Sequence, residues 1–158
     1  MSFLLEIDGW KKNIVFSSAH LLFGHDKCGF LHGHSYAINV KVYGNKNKDG
    51  FVIDFSILKS HLKEIAHSLD HRLLLPADNK YLDKNSNEII IKLNKKKYIL
   101  PKVDCILLPI KSITAENLAN YILNQLVEKM EITENIKKIV IGLDEGFGQG
   151  VSVEKIVG

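Results

Sequence analysis

Between residues 14 and 20 apolar and polar positions alternate, placing Ile14, Phe16, Ser18 and His20 on one face of a strand. Residues 3–19 therefore read as one long strand, bent or paired with itself through Asp8-Gly9, with His20 at the end of its half-buried face. The alternation resumes over residues 33–43, where His34, Tyr36, Ile38, Val40 and Val42 share one face and Ser35, Ala37, Asn39 and Lys41 the other. Residues 44–50 are rich in Gly and Asn and predict an exposed turn, followed by a short strand over 51–53. The period then lengthens. Leu58, Leu62, Ile65 and Leu69 form a helical stripe over residues 55–68, with Asp54 as N-cap and Lys59, Lys63, Glu64 and His67 turned away. Residues 88–93 and 97–100 are β-rich runs around Asn94-Lys95-Lys96 and predict a hairpin, and the apolar run 103–108 follows it. A second helix begins at Thr114 as N-cap and runs to about Met130, burying Leu118, Ala119, Ile122, Leu123 and Leu126. Residues 136–143 and 151–157 are the last two strands, joined through a glycine-rich turn. The order is β-β-α-α-β-β with a β-rich insertion at about 76–110, which is an α+β class chain.

Composition narrows this further. A chain of 158 residues, 46% hydrophobic and 25% charged, is one ordinary domain, 1–158, long enough to bury a core. The net charge of +3 comes from scattered lysines with one local run, Lys95-Lys96-Lys97, so no long basic arm for nucleic acid is present, although an anionic substrate would be suited. Cys28 and Cys105 lie far apart in unlike surroundings and make no disulfide framework, which points to the reducing cytoplasm. Neither a signal peptide nor a membrane span is expected from the N-terminal segment.

The chemistry concentrates in Cys28-Gly29-Phe30-Leu31-His32-Gly33-His34-Ser35-Tyr36. Two residues apart at a strand start, His32 and His34 point to one face, and Gly33 leaves the approach between them uncrowded. With His20 from the end of a neighbouring strand they make a three-histidine set, the way catalytic Zn2+ is held with one position open. Cys28 is then either a base close to the metal or a fourth ligand closing a structural site, and the spacing leaves both open. His25 reads as an exposed loop residue outside this set, His61 and His67 as solvated or stripe-edge residues, and Cys105 as a buried or half-buried structural thiol. Asp70-His71, directly after the first helix, is either a turn pair or a carboxylate-oriented imidazole for proton transfer.

Phe16-Ser17-Ser18-Ala19-His20, Cys28-x-x-x-His32-Gly33-His34-Ser35-Tyr36, Val52-Ile53-Asp54-Phe55, Leu69-Asp70-His71 and Thr114-Ala115-Glu116-Asn117-Leu118-Ala119 follow one another along the chain. In that order they resemble the 6-pyruvoyl-tetrahydropterin synthase and 6-carboxy-5,6,7,8-tetrahydropterin synthase family. The resemblance implies the tunnelling fold (T-fold), in which antiparallel sheets of several subunits close into a barrel with sites between subunits, as a homo-oligomer and by resemblance a hexamer. It implies Zn2+ on His20, His32 and His34, Cys28 as the base with Asp70 and His71 as a proton-handling pair, and Glu145 with Thr114 at the substrate, Glu145 anchoring the pterin. Two positions depart from the family's habit: Ile113 stands where proline usually precedes the threonine, and Gly146 where a threonine usually follows the glutamate. The substrate implied is 7,8-dihydroneopterin triphosphate. The three-residue gap between Cys28 and His32 resembles the carboxy enzymes, which release acetaldehyde and triphosphate toward 7-deazaguanine (queuosine or archaeosine) synthesis, rather than the pyruvoyl enzymes, whose gap tends to be longer. A non-catalytic, zinc-stabilised oligomer is the reading from a different class.

Overall fold

The chain forms β1 (Phe3–Ile7), a single helical turn α1 (Gly9–Lys12), β2 (Val15–His20), β3 (His32–Gly44), α2 (Phe55–Leu69) and β4 (Arg72–Pro76). It continues through β5 (Leu82–Lys84), β6 (Glu88–Leu93), β7 (Lys96–Pro101), a 3₁₀ turn (Lys102–Asp104), β8 (Cys105–Leu108), α3 (Ala115–Lys129), β9 (Ile136–Glu145) and β10 (Gly150–Ile156). This computed structural model describes residues 2–85, 87–93 and 95–158.

Among the described residues the main sheet runs β10-β9-β3-β2-β4-β8, and β1 also pairs with β3. β1 and β2 were expected as one strand, bent or self-paired; instead both lie antiparallel along the same long strand, β1 against residues 40–44 and β2 against residues 32–37 of β3. The interruption is α1. Asp8 accepts from the Lys11 N–H as its N-cap, and Asn13 closes it in the left-handed region at φ 53°. The short strand expected over residues 51–53 is a bend, because Asn47 accepts from the amides of Asp49 and Phe51 and holds that segment in a turn.

The sheet is mixed where an antiparallel one was expected: β4 runs parallel to β2, and β8 parallel to β4. Sequence periodicity reports which face a strand buries but not which neighbour it takes. β4 itself was not anticipated as a separate strand. Its apolar run is buried on both sides, Leu74 in the main core and Leu73 and Leu75 in a second one. The main core lies between the sheet and the helices, where Leu58, Leu62, Ile65 and Leu69 of α2 meet Leu118, Ile122 and Leu126 of α3 beneath Ile38, Val40, Ile139 and Ile141.

Within the insertion three strands, β5-β6-β7, form a separate antiparallel sheet, one more than the hairpin anticipated, while the run expected as its last part joins the main sheet as β8. Asn94 of the anticipated turn lies outside the described residues. This small sheet covers the other side of β4 and β8: Ile89, Ile91 and Leu93 pack with Leu73, Leu75 and Leu21, and Tyr98 and Leu100 close the cluster. Because Leu21 follows His20 directly, the second core underlies the loop that carries Cys28.

Candidate functional site

Antiparallel pairing of β2 with β3 sets His20 directly opposite His32, and His34 stands two residues further along the same face. Gly33 is required between them, since a Cβ there would lie 2.9 Å from the Ser18 carbonyl oxygen. One donor atom from each of the three imidazoles falls within 4.8 Å of the others, and His20 Nε2 is 3.1 Å from His32 Nε2. Two of the outer nitrogens are already committed. His20 Nδ1 donates to the Ile113 carbonyl at 2.8 Å and His32 Nδ1 to the Phe30 carbonyl at 2.7 Å, so in the neutral rings both Nε2 atoms carry lone pairs and face each other. Burial keeps His20 neutral by pushing its pKa below the ordinary imidazole value, with the neighbouring His32 and His34 acting in the same direction.

A carboxylate joins the same point. Glu145, at the end of β9, pairs across the ladder with Tyr36 and accepts from the buried Tyr36 hydroxyl at 3.2 Å. Burial, and then the Glu145 charge, push Tyr36 far above the usual phenol range, so it remains a donor. Glu145 Oε1 lies 3.5 Å from His34 Nε2 and 3.7 Å from His20 Nε2. The two Nε2 lone pairs of His20 and His32, 3.1 Å apart with no proton between them, repel one another unless a cation sits beside them. The donor set therefore fits a divalent metal such as zinc, with the carbonyls of Ile113 and Phe30 orienting two of the ligands.

These groups open into a cleft of about 630 Å³ whose walls include Lys27, Cys28 and Phe30 from the loop before β3, and Thr114 and Glu116 from the start of α3. Gln149, from the turn between β9 and β10, lines it too. Cys28 is half-buried on this wall, but its thiol does not belong to the converging donor set. The loop is held from within: Cys28 N–H donates to His25 Nδ1 at 3.0 Å and Leu22 N–H to the Cys28 carbonyl at 2.7 Å. His25 is exposed, as expected, and serves this turn. Thr114 is the N-cap of α3, its hydroxyl accepting from the Asn117 N–H at 3.3 Å, and it lines the cleft as well.

Asp70 and His71 do form a pair. Asp70 Oδ2 lies 2.7 Å from His71 Nδ1, while Asp70 Oδ1 accepts from the Ser17 N–H at 2.7 Å. Burial alone would raise the Asp70 carboxyl, but the donors Ser17 and His71 outweigh it and hold it below the usual carboxylate range. His71 sits at φ 54°, a left-handed conformation uncommon for a residue with a side chain, and its N–H is fixed on the Ser17 carbonyl at 2.7 Å. The pair does not share a wall with Cys28. His71 borders a second recess with Ser17, Ser35, Arg72 and Asp104, to which His34 is common.

Both departures from the family's habit resolve into backbone roles. Ile113 supplies the carbonyl that orients His20, which any residue can do, and buries its side chain in the core. Gly146 takes φ 82°, and its N–H donates to the Ser35 carbonyl at 2.9 Å immediately beyond Glu145. Tyr36 is the functional residue that sequence reading passed over. Its place on the His34 face was visible, but its ladder partner was not.

The sequence model of the 6-pyruvoyl tetrahydropterin synthase family matches residues 10–155. Among curated relatives, a putative 6-carboxy-5,6,7,8-tetrahydropterin synthase of Methanocaldococcus jannaschii is 42% identical over 157 residues, covering 96% of each chain. The 6-carboxy-5,6,7,8-tetrahydropterin synthase of Rickettsia typhi is 34% identical over 78% of this chain and 83% of its own. Among solved structures, the 6-pyruvoyl tetrahydropterin synthase of Plasmodium falciparum superposes with a TM-score of 0.90 at 35% identity, covering 99% of both chains. That of Plasmodium vivax does so with a TM-score of 0.91 at 29% identity. The protein has the T-fold of the pterin synthases, a class of lyases. It belongs to the 6-pyruvoyl tetrahydropterin synthase family. No helix among the described residues is long and apolar enough to cross a membrane.

Proposed function

We propose that the protein is a zinc-dependent 6-carboxy-5,6,7,8-tetrahydropterin synthase, converting 7,8-dihydroneopterin triphosphate and water into the carboxy-tetrahydropterin, acetaldehyde and triphosphate for 7-deazaguanine synthesis in the cytoplasm. The observation that carries this reading is the convergence of three imidazoles and Glu145 in the cleft that Cys28 also lines. The short gap from Cys28 to His32 and the names of the curated relatives favour the carboxy product.

His20, His32 and His34 would hold the metal, which supplies positive charge beside the substrate's side-chain hydroxyls and so acidifies the adjacent C–H. Glu145, oriented by the Tyr36 hydroxyl, accepts the pterin's amine and ring N–H in two parallel hydrogen bonds, while Thr114 bounds the same pocket. Cys28 takes the proton from the side-chain carbon as general base. Asp70 orients His71 to exchange hydroxyl protons. Since His71 lines a different recess in one chain, the pair acts in the cleft of a neighbouring subunit of the homo-oligomer, a hexamer by family resemblance.

A second reading, 6-pyruvoyl-tetrahydropterin synthase, draws on the Plasmodium structures, which match over the insertion as well. Mass spectrometry of products formed by the zinc-loaded protein from 7,8-dihydroneopterin triphosphate separates the two. Carboxy-tetrahydropterin with acetaldehyde is expected, and a pyruvoyl product would move the protein to the second reading. Cys28→Ala is expected to keep its zinc and lose turnover. Loss of zinc from that variant would instead make Cys28 a ligand and the site structural.

A further inference from the structure

Lysine is unusual on the packed face of a strand, and Lys96 occupies such a place. Along β7 the half-buried positions are Lys96, Tyr98 and Leu100, the latter two packed into the second core, while Lys97 and Ile99 face outward. Among the described residues Lys96 has no carboxylate within ion-pair distance. Its ammonium rests instead 3.4 Å from the centroid of the Phe30 ring. Phe30 borders two spaces at once. On one side it lines the catalytic cleft, and on the other it shares a recess with Gly24, His25, Asp26, Lys95 and Lys96.

Charge within the cleft is divided by element. Glu116 and Glu145 come from α3 and β9, whereas Lys27 comes from the loop before β3. A ligand whose ring end sits at Glu145 and whose tail is polyanionic is repelled by the acidic wall and drawn toward Lys27 and Phe30. On the far side of Phe30, Lys95 and Lys96 of the insertion line the adjoining recess, and of the two it is the Lys96 ammonium that rests on the ring. A cation–π contact at an exposed ring is weaker than a charge-assisted hydrogen bond to a phosphate oxygen, so Phe30 can hold the ammonium in place without competing for it once an anion arrives.

From this geometry we infer that Lys96, delivered by the insertion and poised on Phe30, forms with Lys27 the subsite for the substrate's triphosphate tail. The inference rests on the function proposed above and gives the insertion a role in it: specificity for the phosphorylated substrate. Lys96 is a binding residue here, and the carbon chemistry remains with the cleft.

The test uses the metal-loaded full chain with Lys96→Gln, Lys96→Arg and, as control, Lys97→Gln from the outward face of β7. Lys96→Gln is expected to raise KM for 7,8-dihydroneopterin triphosphate about tenfold with kcat little changed, the effect of one charge-assisted contact. It should weaken binding of inorganic triphosphate by calorimetry to a similar degree, while Lys96→Arg restores both. Unchanged KM and triphosphate affinity in Lys96→Gln would overturn the inference. So would an equal loss in Lys97→Gln, or a loss that tracks dissociation of the oligomer in light scattering. Calorimetry with inorganic triphosphate needs no turnover, so an inactive parent protein that binds it through Lys96 would count against the proposed reaction and not against the subsite.

Discussion

At the scale of single residues, the candidate metal site is built from hydrogen bonds that leave lone pairs pointing inward. His20 is the most constrained of these groups: buried, donating to a carbonyl, and held neutral. Its folded-state pKa lies below its unfolded one, so the unfolded chain binds the proton more readily. Stability from this group is therefore complete above the unperturbed imidazole value of about 6.5 and is lost as pH falls from there through the depressed folded value. The metal-free protein is expected to show a falling midpoint in chemical denaturation as pH drops below that value, and a flat pH response would contradict the buried neutral assignment. Of the candidate residues, His32 and His34 were legible because their spacing at a strand start puts them on one face, and His20 and Cys28 because they end the strand before and stand in the loop that leads to it. The Asp70 and His71 pair was legible as a pair. That it lies away from Cys28 within one chain was not, since that depends on which recess the turn after α2 enters.

Elements follow the same division. Helices α2 and α3 appear where their stripes predict them, with Asp54 accepting from the Ser56 N–H and Thr114 from the Asn117 N–H as N-caps. Capping and the 3.6-residue period are properties of neighbours in sequence, so they survive without knowledge of the fold. The interruption at α1 and the parallel placement of β4 were hidden, because each depends on partners far along the chain. The insertion is the element whose energetics are most open to test. Ile91 is fully buried where the small sheet meets Leu21 beneath the Cys28 loop. Ile91→Ala should cost about 2–5 kcal/mol in denaturant unfolding. It should also raise hydrogen exchange at the Leu22 and Gly29 amides, which tie that loop together. Normal protection of both amides in a destabilised variant would separate the insertion from the loop.

For the whole molecule, the proposed function raises the question of how a chain that keeps Cys28 and His71 in different recesses would complete the reaction. The proposed homo-oligomer, with sites between subunits, would answer it, and complementation measures it. Cys28→Ala and His71→Ala, each inactive alone, are expected to recover about a quarter of parental activity per site when co-refolded in equal amounts, if every cleft takes the two residues from different chains at random. A pair acting within one chain would give no recovery.

By itself the sequence determined the α+β class, the two helices and their caps, the buried face leading to His20, and the shared face of His32 and His34, because these follow from the period and spacing of residues near one another in the chain. Tertiary structure alone decided that Tyr36 stands opposite Glu145, that Ile113 lends its carbonyl to His20, and that Lys96 of the insertion rests on Phe30. Those juxtapositions join residues that neither period nor spacing relates. They depend on strand register and sheet order, which are selected by the packing of the whole chain at once.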